Sequence, residues 1–64
     1  MKVFLERKGI VDIKFNGKTV GDLLKQLGLN PQEVVVVKDG DIVLSDETVD
    51  DLNEIKILSV ISGG

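Results

Sequence analysis

The sequence predicts a small two-layer α+β domain, with one amphipathic helix lying across a sheet and elements in the order β-β-α-β-β-β. Three features predict it. Two segments near the start alternate apolar and polar residues with period two. A single helical stripe follows, bounded by a cap and a glycine stop. The remainder holds three more runs rich in Val, Ile and Leu, separated by turn and acidic residues. Such a helix cannot hide its apolar stripe alone and must lie on a sheet face.

The first strand is read from Met1 to Arg7, where Met1, Val3 and Leu5 share one face. Lys8-Gly9 is expected to turn the chain, and Val11, Ile13 and Phe15 alternate with Asp12 and Lys14 to make the second strand of a hairpin. Asn16-Gly17 ends it with residues that tolerate positive φ. Thr19 caps the helix, and Asp22 three positions on completes a near capping box at the positive end of the dipole. Val20, Leu23, Leu24 and Leu27 form the buried stripe. Gly28 closes the helix in the left-handed conformation, Leu29 packs back, and Pro31 prevents continuation.

Val34-Val35-Val36-Val37 predicts a third strand, Asp39-Gly40 a tight turn, and Ile42-Val43-Leu44 a shorter fourth strand. Ser45 to Glu54 is polar and acidic, with Val49 and Leu52 expected to anchor it to the core. Ile55 to Ile61 is the last strand. Ser62-Gly63-Gly64 is a tail with no residue that would order it.

At 64 residues the chain is near the lower limit for a self-sufficient fold. Without cysteine it has no disulfide or thiolate metal site, and without histidine it lacks the usual general base. Apolar residues, 42% of the chain, must supply the stability. The N-terminal apolar run is too short and too soon charged for a signal peptide or a membrane span, so no membrane partner is expected and the cytoplasm is the expected location. A net charge of −3 argues against nucleic acid. That charge is uneven: residues 1–28 carry six basic and three acidic side chains (+3), residues 29–64 two and eight (−6). The acidic half reads first as a solvated loop, and alternatively as a docking surface for a basic partner.

Two ligand motifs fail. Asn16-Gly17-Lys18-Thr19 lies where a phosphate loop would, but the pattern needs glycine at position 12, which is Asp12. Asp39-Gly40-Asp41 begins like a calcium loop, yet Val43 and Leu44 stand where a ligand and a glycine are required. No enzymatic activity is expected of the chain by itself. The C-terminal carboxylate remains: ionised at neutral pH, it can attack the α-phosphate of ATP when another protein positions both. Gly63 and Gly64, without Cβ atoms, can thread a narrow channel to a buried site.

The hairpin, the helix entry Gly17-Lys18-Thr19-Val20-Gly21-Asp22-Leu23-Leu24, Leu27-Gly28-Leu29, the Asp39-Gly40 turn and the ending Ile57-Leu58-Ser59-Val60-Ile61-Ser62-Gly63-Gly64 resemble, in order and over the whole chain, the ThiS/MoaD sulfur carriers. The resemblance implies a ubiquitin-like β-grasp fold, a mixed sheet with one helix packed across it. It would form a single domain over residues 1–64 with a flexible Gly-Gly tail at 62–64. It also implies that an E1-like adenylating enzyme uses ATP to activate Gly64, with Gly63 giving clearance. A sulfur donor enzyme would then make the thiocarboxylate. Sulfur would pass to a thiazole synthase for thiamin or to the molybdopterin synthase large subunit, with no cofactor bound by the chain itself. The length is more like the thiamin carriers, while Val60-Ile61-Ser62-Gly63-Gly64 is closer to the molybdopterin ending, so the branch stays open. Asp39 stands where relatives often have Asn, which leaves the turn intact.

Strand parity adds a docking surface. If Ile55 and Ile57 meet the helix, Leu58 and Val60 point outward; Phe4 falls opposite Val3 and Leu5, and the four-valine strand has too many apolar residues for one buried face. Phe4, Leu58 and Val60 are therefore expected in an exposed apolar patch that meets partners. Two other functions fit the same residues: a modifier joined to lysine through Gly64, and a binding module whose Gly-Gly is incidental.

Overall fold

The computed structural model describes residues 1–60. Strands β1 (Lys2–Leu5) and β2 (Gly9–Asp12) form a hairpin, helix α1 (Val20–Leu27) follows, and a 3-10 turn at Pro31–Glu33 leads to β3 (Val34–Lys38), β4 (Asp41–Val43) and β5 (Ile55–Ser59). The five strands form one sheet in the order β2-β1-β5-β3-β4. β1 and β5 run parallel at its centre, and the other pairs are antiparallel. This is the β-grasp arrangement, with α1 across one face.

Alternation decides what is buried. Val3, Val36, Ile55 and Ile57 point from the sheet to Val20, Leu23 and Leu24 of the helix, and Val49 closes one end. Leu23 and Leu24 are almost wholly buried, each worth about 1.5–3 kcal/mol relative to exposure.

The helix is held at both ends as its sequence indicates. Asp22 N–H donates to Thr19 Oγ1 at 3.2 Å, while the Asp22 carboxylate accepts from the Thr19 and Lys18 N–H groups, a capping box with an added bond. Loop carbonyls satisfy the other N–H groups of the first turn, Val20 to Glu47 O and Gly21 to Ser45 O. At the far end Gly28 has φ 73°, Leu29 N–H bonds Leu24 O at 2.8 Å and Gly28 N–H bonds Lys25 O, which together make a Schellman stop.

Several expected boundaries move. The hairpin loop is Glu6-Arg7-Lys8, and Gly9 (φ 75°) already pairs with Leu5, so the second strand runs Gly9–Asp12 instead of Val11–Phe15. It stops because β1 starts at Lys2 and offers residues 14–16 no backbone. The Gln26 amide substitutes, its Nε2 donating to Lys14 O at 2.6 Å and its Oε1 accepting from Asn16 N–H at 3.1 Å. Gly17 serves close approach, not positive φ: a Cβ there would come within 2.5 Å of Asp22 Cβ, where the capping side chain crosses the turn.

Leu44 falls just outside β4, and Leu52 is no anchor, being 94% exposed. Asp50 and Asn53 build a polar turn around Leu52: Leu52 N–H donates to Asp50 Oδ1 and Asp50 N–H to Asn53 Oδ1, leaving the leucine turned outward. β5 ends at Ser59, with one further backbone bond from Val60. The predicted strand end at Ile61 and the tail at 62–64 lie outside the described residues.

Candidate functional site

The sheet face turned away from α1 is covered by no other element among the described residues. Register fixes what stands on it. Ile10 pairs with Phe4, Phe4 with Lys56, Lys56 with Val37, and Val37 with Ile42, so one row crosses all five strands. The row is apolar except for Lys56 at its centre. Leu58 opposite Val35 stands two residues further along the same face. Ile10 is 70% exposed, Ile42 73% and Phe4 37%, while Leu58 is half-buried by its neighbours. Exposed apolar residues gathered on one face are a common feature of interaction surfaces.

Of the expected trio, register puts Phe4 and Leu58 on this face. Phe4 and Leu58 lie on adjacent central strands, and Val60, 53% exposed, follows β5 at its end. Ile10 and Ile42, the outer ends of the row, join this face through the strand register, which alternation within each segment does not give. With a two-residue loop at Lys8-Gly9, Ile10 would face Arg7; with Glu6-Arg7-Lys8 as the loop it faces Phe4.

The same end of the sheet is where the chain leaves. Val60 N–H donates to Glu33 O at 3.1 Å and Ser59 N–H to Glu6 Oε2 at 2.8 Å. Beneath this exit a shallow groove between helix and sheet is floored by Leu5, Leu27, Leu29, Val34 and Ile57. Gly63 and Gly64, the residues expected to react, lie outside the described residues.

The acidic segment is largely occupied with its own structure. Asp39 accepts from Glu54 N–H at 2.7 Å and from Asn53 Nδ2 at 2.8 Å, which holds its carboxyl below the usual aspartate range, the backbone bond contributing most. Asp22 is likewise lowered, by the Lys18 N–H first and the Thr19 N–H next. Glu47 pairs with Lys38 Nζ at 3.0 Å, and the same ammonium donates to Thr48 O. These acids shape the loop. Among the described residues no three His, Cys, Asp or Glu side chains are grouped to hold a metal ion, and no helix is long and apolar enough to cross a membrane.

Comparison with known proteins agrees with this fold. The family model for small archaeal modifier protein 2 matches residues 1–61. An uncharacterized protein of Archaeoglobus fulgidus is 43% identical over 54 residues, which is 84% of this chain and 79% of that one. The sulfur carrier protein TtuB of Thermus thermophilus is 37% identical over 59 residues, 92% of this chain and 88% of its own. Among solved structures, the thiamine biosynthesis protein ThiS of Geobacter metallireducens superposes over the full length of both chains with a TM-score of 0.65 at 20% identity, a likeness of fold.

Proposed function

Since the chain belongs to the small archaeal modifier protein 2 family, a ubiquitin-like group of carrier type, we propose that its function is to be activated at Gly64 by an E1-like adenylating enzyme. The Gly64 carboxylate attacks the α-phosphate of ATP, forming an acyl-adenylate and releasing pyrophosphate. Sulfide delivered by a sulfur donor enzyme then displaces AMP and leaves a thiocarboxylate. ATP and the catalytic groups belong to the partners, in the cytoplasm where ATP is available. The sulfur acceptor is a biosynthetic enzyme of the kind that builds thiazole or molybdopterin.

One observation carries this reading: the uncovered apolar face lies on β5, the strand that delivers the terminal glycines. A partner that grips Phe4, Leu58 and Val60 therefore holds the tail by its root. Gly64 lies six residues beyond Leu58, a reach of at most about 22 Å. The nucleotide site must lie within that distance of the docking surface.

A second reading is favoured by the description of the family itself, that of a protein modifier. The same adenylate, attacked by a lysine amine, gives an isopeptide bond in place of the thiocarboxylate. Intact mass after incubation with an E1-like partner, ATP and a sulfide source separates the two. Replacement of one oxygen by sulfur supports the carrier reading, and protein-sized adducts support the modifier. An unchanged mass under all conditions overturns both and leaves a plain binding module.

A further inference from the structure

We infer that Glu6 is a positioning residue for the reactive end of the chain, an inference that rests on the activation reading above. The parallel pairing of β1 with β5 ends at Leu5 opposite Ile57, because the chain then enters the Glu6-Arg7-Lys8 loop. β5 continues to Ser59. On its other flank β3 keeps pace, with Val34 opposite Ser59 and Glu33 O accepting from Val60 N–H at 3.1 Å. On the β1 flank the backbone has already turned away, and Ser59 N–H would face no strand.

The Glu6 side chain takes the missing place. Its Oε2 accepts from Ser59 N–H at 2.8 Å, a contact between residues 53 apart in sequence. A carboxylate is a stronger acceptor than the neutral carbonyl it replaces. The two flanking bonds alternate as a sheet ladder requires, Ser59 toward β1 and Val60 toward β3. Glu6 is exposed, so core packing does not account for it.

The consequence is mechanical. Ser59 and Val60 are the last described residues before the tail, and their backbone angles set the heading on which the chain departs from the docking face. Held from both sides, they fix that heading relative to Phe4 and Leu58. Released on one side, β5 loosens at Ser59, beyond Leu58, and the heading spreads. Phe4 and Leu58 stay paired within the sheet and keep the docking contact, so the loss falls on the chemical step.

The test compares Glu6→Ala and Glu6→Gln with the parent chain. It reads the Ser59 amide exchange rate, the melting temperature, and the kcat and KM of pyrophosphate release with an E1-like partner. Glu6→Ala is expected to speed Ser59 exchange and to lower kcat roughly tenfold, part of the hundredfold that a 1 Å misplacement costs, with KM unchanged. Glu6→Gln keeps an acceptor oxygen and is expected to restore most of both. Unaltered Ser59 exchange in Glu6→Ala, or faster exchange with parental kcat, overturns the inference; so does a loss confined to KM. A parent chain that forms no adenylate overturns the activation reading, and with it the catalytic part of this inference. Ser59 exchange still decides whether Glu6 holds the strand end.

Discussion

The Asp39 carboxylate reaches 15 residues along the chain to accept the Glu54 N–H at 2.7 Å, while its own N–H donates to Glu54 O at 2.8 Å. The two residues thus close a ring between the β3-β4 turn and the start of β5. Asp39 and Gly40 both have positive φ, 50° and 91°, as a type I′ turn requires. Asparagine is common at such a position and would suit the turn equally well. The carboxylate does more here, because its second oxygen also takes the Asn53 side-chain amide.

This pair predicts the acid behaviour. Asp39 and Asp22 have folded pKa values below their unfolded ones. Their contribution is therefore present above the unfolded pKa of about 3.9 and is lost as pH falls through the lower folded value. Melting temperature is expected to be flat above about pH 5 and to drop below about pH 4. Asp39→Asn should shrink that drop, and an acid dependence identical to the parent would show that the Glu54 contact does not couple to folding.

Leu24→Ala is expected to cost roughly 2–5 kcal/mol in denaturant unfolding, since the side chain is nearly wholly buried between helix and sheet. That is a large share of the stability of so small a domain. An unchanged unfolding midpoint would contradict the packing described.

Leu58→Asp should leave the melt near that of the parent, because the residue points away from the core, and weaken binding to an activating enzyme. A central, well-packed interface position typically costs 2 kcal/mol or more, about thirtyfold in affinity. Ile10→Asp, at the outer end of the same row, should cost less. Equal losses at both would mean that the partner covers the whole row, and parental binding in both would remove this face from the function.

Much of this was legible in the sequence because parity and capping are local. Alternation alone turns Leu58, Val60 and Phe4 outward, and residue type gives the Thr19-Asp22 box and the Gly28 stop. What escaped depends on contacts between distant segments. Leu52 reads as an anchor by hydropathy, yet Asp50 and Asn53 hold it outward. Gln26 looks like a solvated helix residue, yet it stands in for a missing strand. Glu6 looks like one charge in a turn until Ser59 is placed beside it. Ile10 joined the patch only once the hairpin register was known.

The reach from Leu58 to the chain end makes Gly63 and Gly64 the place to test the central claim. Under the activation reading, Gly63→Val would put a branched side chain where the partner's channel admits glycine, and one added alanine would move the carboxylate by a full residue. Neither change touches the described core, so both melting temperatures are expected near that of the parent. Adenylate formation, followed as pyrophosphate release with an E1-like partner, is expected to fall at least a hundredfold in each variant, the scale of a misplacement of about 1 Å or more. Full parental rates in both variants would contradict the claim that this chain works through its terminal carboxylate.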